Sequence, residues 1–81
     1  MQIRYTRHAL RRMAQRKIAK EDVELTLDVP DEVVHGDLDE LIAIRRFGSR
    51  EVRVVYGIQL AWDLDEQEVL VIYTVMKPKI R

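Results

Sequence analysis

From Val52 to Leu64 every even-numbered residue is apolar: Val52, Val54, Tyr56, Ile58, Leu60, Trp62 and Leu64. Side chains alternate between the two faces of a strand, so this sustained period of two predicts one long strand with a single face in a core. A slip of one residue would turn the whole apolar set to water, which fixes the register as well. The chain must therefore build a sheet and cover one side of it. Arg53, Val55 and Gly57 fall on the other side, left for solvent, a ligand or a second subunit, and Gly57 is where a bulge is expected in so long a strand.

The covering layer comes from the beginning of the chain. Thr6 is a predicted N-cap for a helix over residues 7–17, in which Ala9, Leu10, Met13 and Ala14 form an apolar arc. A second helix is predicted over residues 20–28, with Val23, Thr26 and Leu27 inward, acids in its first turn and Pro30 as its stop. The turn 17–19 between them offers neither glycine nor a good cap. Residues 32–36 and 40–47 read as strands, and Gly48-Ser49 as a tight hairpin turn. Residues 63–67 turn the chain, and residues 68–76 return as a strand apolar on both faces, which suits a central position ended by Pro78. The expected fold is α+β: two N-terminal helices on one face of a mostly antiparallel sheet of about four strands. The 81 residues form one domain, since a second core would have too little chain to bury itself.

Fourteen cations against fourteen acids give no net charge, so no general electrostatic field draws the molecule onto a polyanion; any such contact is local. The charges nevertheless come in blocks. Residues 1–20 carry Arg4, Arg7, Arg11, Arg12, Arg16, Lys17 and Lys20 and no acid, while residues 21–41 carry nine acids and no Lys or Arg. Either the blocks neutralise each other across neighbouring elements, or the molecule has a cationic side suited to phosphate. The absence of cysteine fits a reducing compartment, and no apolar run approaches the ~20 residues of a membrane span. A cytoplasmic location without membrane attachment is the expectation.

His8, Arg12 and Arg16 recur at i, i+4 and i+8 on the first helix, on the side opposite its apolar arc and drifting toward the core edge, so that Arg16 comes close to the arc. Together with the surrounding segment, Tyr5 to Ile18, and the closing strand Val71-Ile72-Tyr73-Thr74-Val75, they resemble a group of small prokaryotic domains of unknown function. That group carries an H-x-x-x-R-M-x-x-R signature and is similar to the RelE/ParE toxin superfamily. The resemblance implies a small α+β fold and, through the superfamily, mRNA cleavage within a toxin–antitoxin pair, hence RNA and an antitoxin-like protein as partners.

The same residues have chemistry of their own. Metal-free RNA cleavage needs a base for the 2′-hydroxyl, an acid for the leaving oxygen and cations for the dianionic transition state. Histidine is the side chain type able to exchange a proton near neutral pH, and Arg12 and Arg16 offer forked donors to phosphate. His8, Arg12 and Arg16 are thus the candidate catalytic set, with Tyr73 or Lys77 as a second proton-transfer group. Arg11, Arg46, Arg53 and Lys77 are candidate nucleic-acid contacts, the middle two belonging to a basic cluster of Arg45, Arg46, Arg50 and Arg53 around the hairpin. The competing expectation is structural: Arg16 locked to acids of the second helix or to strand carbonyls, charged residues guarding a sheet edge, and Tyr56 and Trp62 filling the core. Under it the protein is a non-catalytic scaffold that binds a protein partner or forms a homodimer. No Gly-rich phosphate loop or zinc motif occurs, and His35, Asp37 and Asp39 read as turn residues, so neither cofactor nor metal is expected.

Overall fold

The computed structural model describes residues 2–61 and 67–78. Its elements are β1 (Gln2–Tyr5), α1 (Arg7–Arg16), α2 (Lys20–Asp28), β2 (Glu32–His35), β3 (Leu41–Phe47), β4 (Arg50–Ala61) and β5 (Gln67–Met76). The strands form one five-stranded sheet in the order β1-β5-β4-β3-β2. The three contacts among β2, β3, β4 and β5 are antiparallel, as expected. The fifth strand is a correction: β1 runs parallel to β5, with Gln2 opposite Val69 and Tyr5 opposite Ile72. A parallel partner is reached only by a long crossover, so nothing local in five N-terminal residues signals it.

Thr6 caps α1 as predicted, its hydroxyl accepting the Ala9 amide hydrogen at 3.0 Å. The same hydroxyl donates to the Tyr73 carbonyl at 3.1 Å, and the Thr6 amide donates to the Ile72 carbonyl at 3.1 Å. One residue therefore ends β1, starts α1 and ties both to β5. The helix stops at Arg16, one residue earlier than expected, through a Schellman motif. Lys17 takes a left-handed conformation (φ 55°), its amide donates to Ala14 and the Ile18 amide to Met13. Ile18 and Met13 are both buried in the core, which supplies the apolar contact that accompanies this motif.

α1 packs on β5 and α2 on β3 and β4. The core lies between these layers: Ala9, Met13, Ile18 and Val23 face Ala43, Val52, Val54, Tyr56, Ile72 and Val75. Fully buried side chains such as Ile72 and Val54 contribute about 1.5–3 kcal/mol each. Thr26 is buried without penalty because its hydroxyl donates to the Asp22 carbonyl. Leu10 and Ala14, expected inward, are exposed, because the buried stripe of α1 is narrowed to Ala9 and Met13.

The alternation of β4 is only partly converted into core. Val52, Val54 and Tyr56 are buried, but Ile58 and Leu60 are more than half exposed, at 52% and 59%. A helix of nine residues spans about 13 Å. A strand of twelve reaches roughly 40 Å, so β4 outruns its cover. Trp62, Leu64 and most of the predicted turn 63–67 lie outside the described residues; Gln67 already belongs to β5. The bulge is also displaced from its expected place. Val55 faces Thr74 and Tyr56 faces Ile72, so the extra residue is Tyr73 on β5. Gly57 accommodates it: a Cβ there would lie 2.4 Å from the Tyr73 hydroxyl oxygen.

Candidate nucleic-acid interface

At about 100° per residue, Ala9 and Met13 take one side of α1, and Arg7, Arg11, His8, Arg12 and Arg16 follow one another around the rest, on a convex ridge. The helix has no acid in its first turn to complement its dipole. Arg12 is the hub of the exposed part. Its Nε donates to His8 Nε2 at 3.4 Å and its Nη1 to Gln15 Oε1 at 3.0 Å. Because His8 Nε2 accepts, a neutral His8 in this arrangement carries its proton on Nδ1. Arg7, Arg11, Arg12 and Lys17 form no ion pair among the described residues. Lys77 is exposed just past β5.

Arg16 differs from the other two members of the ladder. Its Nη1 donates to the Val75 carbonyl at 3.3 Å in a partly buried setting. β1 pairs β5 only as far as Ile72, so beyond it the edge of β5 has no strand partner. The Tyr73 and Val75 carbonyls on that edge are taken by Thr6 and Arg16 instead. The strand-carbonyl alternative for Arg16 is thus the arrangement observed, while His8 and Arg12 face outward.

The hairpin arginines are not brought to this ridge. Arg46 and Arg53 lie on the sheet face opposite the helices, because they alternate with Arg45, Val52 and Val54. There they flank Glu51, with Arg53 Nε 2.7 Å from Oε2 and Arg46 Nε 3.4 Å from Oε1; Arg46 also approaches Glu32 at 3.8 Å. Glu51 is 7% exposed, so its charge is held by these two partners. Arg50 pairs with Asp22 at 3.3 Å, and Arg45 Nη1 donates to the Val29 carbonyl at 2.6 Å. The sequence held a usable signal for this. A two-residue turn at Gly48-Ser49 sets Arg46 opposite Glu51, and cross-strand neighbours of opposite charge pair. Gln15 as a partner of Arg12 was equally legible from its i+3 spacing.

Elsewhere, two phenols are perturbed. Burial, and then the Glu24 and Glu21 carboxylates, raise the pKa of Tyr5; burial alone raises that of Tyr56. His35 Nδ1 lies 3.5 Å from Asp39 across an exposed turn. Among the described residues no set of three or more His, Cys, Asp or Glu could hold a metal ion, and no helix is long and apolar enough to cross a membrane.

A family model matches residues 5–77, from the end of β1 to the residue after β5. The chain belongs to the DUF4258 family, described as a domain of unknown function. The match takes in both helices, the four strands β2 to β5 and the whole cationic ridge. No curated protein and no solved structure matches this DUF4258 domain.

Proposed function

We propose that this DUF4258 domain binds RNA through the outer ridge of α1, in the manner implied by its resemblance to the RelE/ParE toxins. His8 would be the proton carrier of a metal-independent cleavage, and a protein partner of the antitoxin kind would cover the ridge. The observation that carries the proposal is the ridge itself. Arg7, His8 and Arg11 are exposed and Arg12 half-buried on one side of the helix, and among the described residues no carboxylate bonds to any of them. Uncompensated cations on one helix repel one another, and a polyanion relieves that repulsion. Arg12 has only neutral partners, so it can exchange them for phosphate oxygens at little cost and in doing so free His8 Nε2 to accept a proton. Arg16 acts here as a positioning residue that holds α1 to β5.

The test is binding of a fluorescent single-stranded RNA followed by anisotropy across a salt series. Affinity is expected to fall as salt rises, with the slope dropping by about 0.7 for each of Arg7→Ala, Arg11→Ala and Arg12→Ala. Incubation of RNA with the wild type in the presence of a chelator, beside His8→Ala, addresses cleavage separately. Binding that ignores all three arginine substitutions removes the RNA reading.

A second reading, a scaffold for protein association, is favoured by the exposed border of the sheet at β2, where Val33 and Val34 are 45% and 38% exposed.

A further inference from the structure

β2 is a border strand with all four of its residues exposed. The direction of its hydrogen bonds follows from its neighbours. The two-residue turn makes Phe47 and Arg50 a hydrogen-bonded pair, so the even residues of β3 turn their backbone groups toward β2. The Arg46 amide donates to Asp31 Oδ2 at 2.7 Å and the Gly36 amide to the Glu40 carbonyl at 2.8 Å, as this requires. The Asp31 amide, just before the strand, donates inward to the Ile44 carbonyl at 2.8 Å, so the outward backbone groups begin at Val33 and Asp31 offers a second copy its carboxylate. Glu32 and Val34 therefore bond inward, and Val33 and His35 turn their amide and carbonyl groups out, away from the sheet. Border strands are usually blunted by lysine, proline or a bulge. Within Glu32–His35 β2 has none of these; Pro30 lies two residues before it.

We propose that two copies of this chain pair through β2, antiparallel, about a two-fold axis at Val33, joining their sheets into one. Outward groups on Val33 and His35 allow only registers that set odd residues against odd residues. With Val33 on the axis, Val33 meets its own copy and Asp31 of each chain faces His35 of the other. The strand begins with acids, Asp31 and Glu32, and ends with an imidazole, so antiparallel self-pairing sets a hydrogen-bond donor against a carboxylate acceptor, whereas a parallel arrangement would set acid against acid. The next allowed register, centred on Val34, places Asp31 opposite Asp37 and is disfavoured by that like-charge pair. Asp31 can take a further donor, because a carboxylate has more acceptor positions than the Arg46 amide occupies. His35 uses Nδ1 toward Asp39, which leaves Nε2 for the second copy. Zero net charge removes the long-range repulsion that would otherwise oppose self-association.

Pairing at β2 goes beyond the RNA reading and does not depend on it. β2 lies at the border opposite β1, and α1 packs on β5, so the cationic ridges stay free at the two ends of the joined sheet.

The experiment is sedimentation equilibrium of the purified full chain without RNA, at concentrations up to about 1 mM, the weak end of specific association. The wild type is expected to show twice the mass of one chain, concentration-dependently. Val33→Lys, which sets two ammonium groups face to face at the axis, is expected to weaken the dimer at least tenfold while circular dichroism stays unchanged. Val33→Pro removes the outward amide hydrogen and spares the ladder to β3, and should do the same. The chain has no cysteine, so Val33→Cys reports the register directly: mild oxidation is expected to link two chains, and Ile58→Cys is expected not to. A wild type that stays monomeric at about 1 mM, or a dimer that Val33→Lys leaves intact, overturns the proposal.

Discussion

Lys17 holds a left-handed backbone conformation that costs a side-chain-bearing residue more than it costs glycine. The side chain is exposed, so replacing it loses no core contact. Lys17→Gly is therefore expected to stabilise the fold by about 0.5–1 kcal/mol, read as a higher urea midpoint at unchanged slope. Tyr5 offers a second gain. Its hydroxyl is buried with no hydrogen-bond partner among the described residues, while its ring carries the Lys20 ammonium 5.2 Å from its centre. Tyr5→Phe keeps the ring and removes the orphaned group, so stability at neutral pH is expected to rise by about 1 kcal/mol. The sign at high pH follows from linkage. Burial makes the folded chain hold the Tyr5 and Tyr56 protons more tightly than the unfolded chain does, so above the ordinary value of 10.0 the unfolded state loses them first. The stabilisation is complete below that pH and is lost as pH rises through the folded-state values. Denaturant titrations from pH 8 to about 11.5 should show the decline, made shallower by Tyr5→Phe.

At the scale of elements, the bulge of β5 and the glycine of β4 form one unit. Gly57→Ala adds a Cβ that meets the Tyr73 ring, which must swing out, at a cost of about 1 kcal/mol because its far end is partly exposed. With Tyr73→Ala the obstruction is gone, and the same change should become stabilising by about 0.5–1 kcal/mol, since glycine is a poor strand residue. A double-mutant cycle by urea denaturation measures that coupling, and additive effects would mean the two residues do not constrain each other. A bulge was expected at Gly57 of β4, but the extra residue is Tyr73 on β5, which alternation along β4 does not reveal. The same distinction runs through the fold. Thr6, the limits of α2 and the Gly48-Ser49 hairpin rest on neighbours a few residues away and were readable; α1 ends a residue early because Lys17 takes a left-handed conformation that a turn without glycine did not suggest. The pairing of β1 with β5 spans much of the chain and leaves no trace in the spacing along one element, whereas Arg16, beside the apolar arc of α1, was already a candidate for strand carbonyls and only its partner, Val75, was hidden. Within the candidate site, the His8–Arg12 ladder was readable from helical periodicity. The place of Arg53 on the other face was readable from strand alternation; that Arg46 joins it there, across Glu51, followed from the same alternation once the hairpin register is applied.

For the molecule as a whole, the two charge blocks do not meet as their order along the chain suggests. The acids of residues 21–41 find partners in the hairpin, Asp22 with Arg50, Glu32 with Arg46 and Asp31 with the Arg46 amide. Arg7 and Arg11 of α1 are left facing solvent, Arg7 in the first turn, where positive charge is least favourable. This locally unfavourable arrangement leads to two effects of opposite sign for one substitution. Arg7→Glu puts a carboxylate in the first turn, worth about 0.3–1 kcal/mol with the helix dipole, and turns the repulsion of Arg11 at i+4 into an attraction of about 0.2–0.5 kcal/mol. The fold should therefore become more stable by roughly 1 kcal/mol, visible as a higher thermal midpoint. If the ridge binds RNA, the same change removes one cation and adds an anion, so affinity should fall and the salt slope should drop by about 1.4. Stability and binding moving apart would mark α1 as a surface kept cationic for a ligand at the expense of the helix. A stabilised variant with unaltered RNA affinity would place any nucleic-acid contact elsewhere, and a destabilised one would mean that Arg7 has a structural partner in solution.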